Sequence, residues 1–179
     1  IGDRPIRFGY IYTDYPADIS DYARLEKEAR QREDILFVPY KIPYRPISEH
    51  KAELLAAVST AADALRTQVD FFWSPRGALA VLPEYDQILL SHGKTALAMG
   101  ATESSVKSGA LLHITGDPTS QGQDTASIAN AILKGTPAGT IAPSYPQKIQ
   151  FALNLKTATD LKVAVPSDIL ELAEGRLYP

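Results

Sequence analysis

Cysteine is absent from the 179 residues, which removes disulfide scaffolds, thiolate metal sites and cysteine nucleophiles. The redox compartment is left open. Positive charge is also short, since 18 Lys and Arg against 21 Asp and Glu leave a net charge of −3. That balance argues against broad phosphate-backbone binding, and so against nucleic acid as a partner. No stretch approaches the ~18 uncharged apolar residues of a membrane span. The start, Ile1-Gly2-Asp3-Arg4-Pro5, lacks a basic segment followed by an apolar core. Beginning on Ile rather than Met, the chain reads as processed or truncated, which leaves room for a lost signal segment.

Several chemical signatures are missing too. No Gly-x-Gly-x-x-Gly follows an expected strand, so the dinucleotide fingerprint is absent. Gly93-Lys94-Thr95 resembles the end of a P-loop, but Ile88 stands where the required earlier glycine belongs, and the segment follows a helix rather than a strand. A helix-stop glycine explains it. His50, His92 and His113 are each isolated, without His or carboxylate at metal-ligand spacing. They read as surface or turn histidines. Ser91-His92 invites a catalytic reading, yet no Gly-x-Ser-x-Gly elbow exists to support acyl transfer. Neither a metal nor a cofactor is called for.

What remains is ordinary globular material, 45% hydrophobic and 22% charged. At roughly 150 residues per domain, the length corresponds to about one domain with an appendage. Strands are expected at Ile6–Tyr12, Ile35–Tyr40, Val69–Trp73, Thr95–Met99 and Leu111–Thr115. Helices are expected over Asp18–Arg32, Glu49–Arg66 and Leu82–His92, the second with Leu54, Leu55, Val58, Ala61, Ala62 and Leu65 at three-and-four spacing. Apolar strands that do not alternate, separated by such helices, predict a doubly wound, mostly parallel α/β sheet covered on both faces. A helix from Asp117-Pro118 to about Lys134 follows, then a Gly/Pro-punctuated connection. The pattern then changes to a possible last strand at Phe151–Leu153, a short helix at Lys156–Leu161, and a terminal helix from Pro166-Ser167-Asp168 through Glu174.

In such sheets ligands bind outside the carboxyl ends of the strands, where loops converge. The candidate binding residues are therefore Tyr12, Thr13, Asp14, Ser74, Arg76, Thr102, Glu103 and Asp117. Arg76 follows a strand directly, and its guanidinium suits a two-pronged bond to a carboxylate; an exposed loop arginine is the competing reading. Glu103 would receive an ammonium or simply favour the first turn of a short helix. Tyr12, Tyr15 and Trp73 suggest an aromatic wall, although Trp73 lies in an apolar run and fits the core better.

The C-terminal stretch carries a resemblance. Phe151-Ala152-Leu153-Asn154-Leu155-Lys156-Thr157-Ala158, followed by Val165-Pro166-Ser167-Asp168-Ile169-Leu170 and Ala173-Glu174, resembles the closing signature of a bacterial ABC-transporter substrate-binding protein family. That family includes tryptophan- and tyrosine-uptake binding proteins. Val106-Lys107-Ser108-Gly109-Ala110 and Ile132-Leu133-Lys134-Gly135 with Pro137-Ala138 resemble two further family segments, so the likeness runs from about Ile6 to Tyr178.

The resemblance implies one lobe of a periplasmic-binding-protein type I (Rossmann-like) fold plus a C-terminal helical segment. Residues 1–117 would be the family's second α/β lobe, and 118–179 a returning segment that in relatives packs partly on the first lobe, missing here. A non-enzymatic role follows: a solute-binding component of an ABC importer, located in the periplasm or outside the cell, that takes a small amino acid or carboxylate-like solute and meets a permease. Rival readings are a ligand-sensing domain of a signalling protein and a small flavodoxin-like or nucleotide-using enzyme. The apolar stripe Ile128, Ile132 and Leu133 would lie uncovered, which predicts a homodimer through that face. The loops depart from the family, however. Where relatives commonly carry an aspartate–asparagine pair this chain has Ser74-Pro75-Arg76-Gly77, and Thr102 replaces a frequent aspartate, a change that suits an anionic ligand better than an ammonium.

Overall fold

The computed structural model describes residues 4–91 and 96–179. His92, the Gly93 helix stop, the Gly93-Lys94-Thr95 segment and the Thr95 strand start lie outside them. Successive side chains of a strand point to opposite faces, and β1 (Ile6–Thr13) shows the consequence. Phe8, Tyr10 and Tyr12 share one face; Gly9, Ile11 and Thr13 share the other. A Cβ at Gly9 would come within 2.9 Å of the Phe72 ring, so the missing side chain makes room for an aromatic in the core.

Helix α1 (Pro16–Ala29) starts with a proline, whose missing N–H costs nothing in a first turn. It leads to β2 (Ile35–Ile42), α2 (Ile47–Leu65), β3 (Phe71–Trp73) and α3 (Pro83–Ser91). Next come β4 (Ala96–Met99), α4 (Glu103–Lys107), β5 (Leu112–Gly116) and α5 (Pro118–Leu133). The chain closes with β6 (Ile149–Asn154), α6 (Leu155–Asp160), α7 (Ser167–Leu172) and β7 (Leu177–Tyr178). These strands form one sheet in the order β2-β1-β3-β4-β5-β6-β7. Strands β1 to β5 are parallel, β6 runs antiparallel to β5, and β7 is parallel to β6. The mostly parallel α/β architecture expected from the pattern is the one observed.

On one face, Ile11, Phe72 and Leu97 pack against Leu54, Val58, Ala61 and Ala62 of α2 and Tyr85 and Leu89 of α3, all buried. Each large side chain of this core contributes about 1.5–3 kcal/mol by burial. A second cluster, Leu111, Phe151, Leu153, Ala158 and Ala173, fastens α6 and the segment after α7 to β5 and β6. On the opposite face α1 covers β1, with Tyr22 stacked on Tyr12 at 4.9 Å. Beyond α1 that face stays open as an apolar groove lined by Ile6, Phe8, Phe71, Trp73, Leu112 and Val163. Trp73 is therefore half-buried at the edge of this groove rather than enclosed in the core.

The terminal helix is shorter than expected, and β7 follows it through a turn in which Gly175 adopts φ +83°. Two residues are too few to show a strand pattern. Helix α5 matches its expected bounds closely but has no buried residue; Leu133 is 84% and Ile132 43% exposed.

Candidate functional site

The strand order reverses at β1, which lies between β2 and β3. At such a switch point neighbouring loops diverge and open a crevice at the carboxyl edge. Here the two loops flanking the crevice are joined by one carboxylate. Asp18, fully buried in the first turn of α1, accepts from the Thr13 N–H (3.1 Å) and hydroxyl (2.5 Å) on one side. On the other it accepts from the Ala78 N–H (2.7 Å), just past the β3 loop. Thr13 Oγ1 in turn accepts from the Tyr15 N–H at 3.2 Å.

A second buried carboxylate repeats the device one loop further along. Ser74, 2% exposed, donates its hydroxyl to Asp86 Oδ1, and the Ala101 N–H donates to Asp86 Oδ2 at 2.8 Å. Asp86 thus ties the β3 loop to the β4 loop. Between the two acids Tyr85 is buried and donates to the Ile11 carbonyl (3.1 Å); burial and the nearby Asp86 and Asp18 push its pKa well above the ordinary phenol value. Neither Asp18 nor Asp86 is among the candidate residues the sequence pattern offers. An aspartate inside an expected helix carries no local signal that it caps a loop from another strand.

The remaining candidates occupy the same rim. Thr102 caps α4 reciprocally with Ser105 (3.3 Å each way) and stays exposed. Glu103 accepts from the Tyr178 hydroxyl and pairs with Lys107 at 3.3 Å and Arg176 at 3.9 Å. That hydroxyl and those cations hold it below its usual pKa. Asp117 caps α5 by accepting from the Ser120 N–H (2.7 Å) and takes a second bond from Gln150 (2.5 Å). The Ser120 N–H, ahead of Gln150, lowers its pKa. Asp14 accepts from the Tyr44 N–H at 2.6 Å, bracing the loop after β2.

Arg76 differs from all of these. Its backbone N–H meets Asp21 at 3.3 Å, and its guanidinium crosses the end of β4 to the Ile114 carbonyl at 3.4 Å. No ion pair of Arg76 is found among the described residues, and the side chain is exposed.

Tyr12 and Trp73 join one aromatic cluster through Tyr10 and Phe37, with successive ring centroids 5.7, 6.0 and 5.7 Å apart, whereas Tyr15 pairs elsewhere. Tyr12 stacks on Tyr22, Tyr15 meets Tyr44 at 4.8 Å, and Trp73 packs edge-on against Phe8 and Phe37. Of the histidines, His50 lies at a kink in α2 and pairs with Glu53 at 3.3 Å. His113 is half-buried in β5 with Nδ1 2.9 Å from the Gly100 carbonyl. Among the described residues no three His, Asp or Glu side chains gather as a metal site would require.

A family model described as ABC transporter substrate binding protein matches residues 47–176. The chain belongs to that family. No curated protein matches it. Among solved structures it is similar to an ABC domain in complex with L-Trp from Streptococcus pneumonia, at 16% identity and TM-score 0.69, covering 96% of this chain and 56% of that one. It is also similar to a conserved domain protein from Vibrio cholerae, at 20% identity and TM-score 0.68, covering 97% and 54%. A third likeness is to a periplasmic ribose ABC transporter from Conexibacter woesei, at 14% identity and TM-score 0.55, covering 98% and 58%. These likenesses support the fold, a periplasmic-binding-protein type I lobe. The chain spans a little over half the length of each. No helix among the described residues is long and apolar enough to cross a membrane.

Proposed function

We propose that the carboxyl-edge rim of this substrate-binding family member holds a small organic solute, an amino acid or a carboxylate-like compound, for an ABC importer. The protein would not be an enzyme. It would work outside the cytoplasmic membrane, in the periplasm or extracellular space, and pass its solute to a permease. A second α/β lobe facing the rim would supply the other jaw, with closure by hinge motion. One observation carries this: buried Asp18 and Asp86 pin three loops at the switch point, while Arg76 and Thr102 stay exposed above them. Rigid loops under exposed polar groups lower the ordering cost of binding.

Thr13 and Ser74, both buried, serve by shaping the rim, whereas Arg76 and Thr102 reach the solute. Tyr12, Asp14, Glu103 and Asp117 flank it. The similarity to a structure holding L-Trp supports an organic solute of this size. Helix α5, with no buried residue, presents Ile128, Ile132 and Leu133 to the second lobe or to another copy of this chain. Sedimentation separates these two, since only the second gives a concentration-dependent dimer.

Thermal-shift measurement of the natural protein against amino acids and organic acids tests the function. A true solute at a hundredfold excess over its dissociation constant adds about 2.7 kcal/mol of stability. Indifference to every amino acid and carboxylate would count against solute binding at the rim.

A further inference from the structure

Charge on the rim is unevenly committed. Both oxygens of Asp117 are taken, one by the Ser120 N–H and one by Gln150. Both oxygens of Glu103 face partners as well, Tyr178 and Lys107 on Oε1 and Arg176 on Oε2. An ammonium arriving there would have to displace a hydroxyl or a cation already in place. Arg76 follows β3, one strand before Glu103 and two before Asp117 in the sheet order, and reaches over β4 to β5 with a single long bond to the Ile114 carbonyl. A guanidinium presents five donors in a fixed fork, so most of its capacity points to solvent.

Among the described residues one carboxylate oxygen of Asp14 has no hydrogen-bond partner, but Asp14 sits at the other end of the crevice. It follows β1 and binds Tyr44 beyond β2, while the Arg76 guanidinium lies against β5. Strands β1 and β5 are three spacings apart, about 14 Å at ~4.8 Å each. The charges of an α-amino acid, on adjacent carbons, cannot bridge that distance.

The carboxylate nearest Arg76, Asp21, is engaged on both oxygens, by the Tyr10 hydroxyl and the Arg76 N–H on Oδ2 and by Arg24 on Oδ1. Resting on the solute-binding function above, we propose that the solute is an organic anion whose carboxylate is taken by Arg76, and that no group beside Arg76 recognises an amine. The protein would therefore prefer a plain carboxylic acid to the α-amino acid of the same skeleton. Two parallel N–H···O bonds from the guanidinium would supply the discrimination.

The test is calorimetric titration of the natural protein and its R76Q and R76K forms with hexanoate and 3-phenylpropionate, their amides, and the matching amino acids norleucine and phenylalanine. Acids are expected to bind more tightly than their amides and amino acids. R76Q should weaken acid binding roughly 10- to 100-fold, as for loss of a charged hydrogen-bonded pair. R76K should restore part of it, and melting temperature should hold in both. Amino acids binding as tightly as the acids, with R76Q indifferent, would overturn the proposal while leaving the rim as the binding site. If no compound in the panel binds, the solute-binding function falls and this proposal with it.

Discussion

The Asp18 carboxylate fills the space a side chain at Gly77 would need: a Cβ built there would lie 1.3 Å from Asp18 Oδ1. Gly77 is extended rather than left-handed, with φ −103° and ψ −144°, so its requirement is for room. Gly77→Ala would expel a carboxylate that satisfies three donors. The expected loss is about 3 kcal/mol or more in urea unfolding, because overpacking and unpaired buried donors add. Asp18→Asn keeps the shape but turns one acceptor into a donor, and about 1–3 kcal/mol is expected. A Gly77→Ala protein of unchanged stability would show that Asp18 does not hold the β3 loop.

Ser74 and Asp86 should be unequal when cut. Ser74→Ala leaves Asp86 still bound to the Ala101 N–H and should cost about 1–2 kcal/mol. Asp86→Ala strands both the Ser74 hydroxyl and that N–H while opening space beside α3, for which about 3 kcal/mol or more is expected. Chemical unfolding of the two variants checks the order, and equal losses would mean that Asp86 is not the hub.

Acid should loosen the opposite edge of the sheet first. Arg4 grips Asp70 with two bonds, 2.6 and 2.8 Å, and the Arg7 N–H adds a third at 2.9 Å. The Arg4 bonds, ahead of the Arg7 N–H, bring the Asp70 pKa from 3.8 down to about 2. A carboxyl with a lowered folded pKa stabilises the fold above its unfolded value and loses that contribution as pH falls through the folded one. The pair should thus contribute fully above about pH 4 and fade toward pH 2, by of order 1 kcal/mol once solvent screening is allowed for. Asp70→Asn should flatten that part of the stability profile between these limits.

Asn154 joins three elements and should not tolerate aspartate. Its Oδ1 accepts from the Thr157 N–H at 2.7 Å and caps α6, while Nδ2 donates to the Val106 carbonyl at 2.9 Å and the Pro179 carbonyl at 3.3 Å. At 3% exposure, Asn154→Asp keeps the cap but sets an anion against two carbonyls. About 2–4 kcal/mol of lost stability is expected, seen as a lower melting temperature, whereas Asn154→Asp at wild-type stability would remove this explanation of the family segment.

Much of this was legible from pattern alone. Strands β1 to β4 are visible as short apolar runs separated by helices long enough to cross the sheet, and β5 as a further apolar run behind the five-residue α4, so the order of the runs sets the rim loops in advance. Asn154 stood out by resemblance, and the structure gives it a physical reason. Three things escaped. Asp18 and Asp86 act across strands, and nothing local distinguishes them from solvent-facing helix acids. Glu103 and Asp117, read as ligand groups, are also engaged by Tyr178 and Gln150, partners 75 and 33 residues away. The edge strand β7 has only two residues, fewer than a period-two signal needs.

Hydrogen exchange of the natural protein with and without saturating 3-phenylpropionate tests most directly whether the carboxyl edge is where solute sits. Slower exchange is expected at residues 13–15, 74–78, 100–102 and 114–117, with no change at 4–7 and 68–70 on the opposite edge. Protection confined to that opposite edge, or to the apolar groove at Phe8, Phe71 and Trp73, would contradict it.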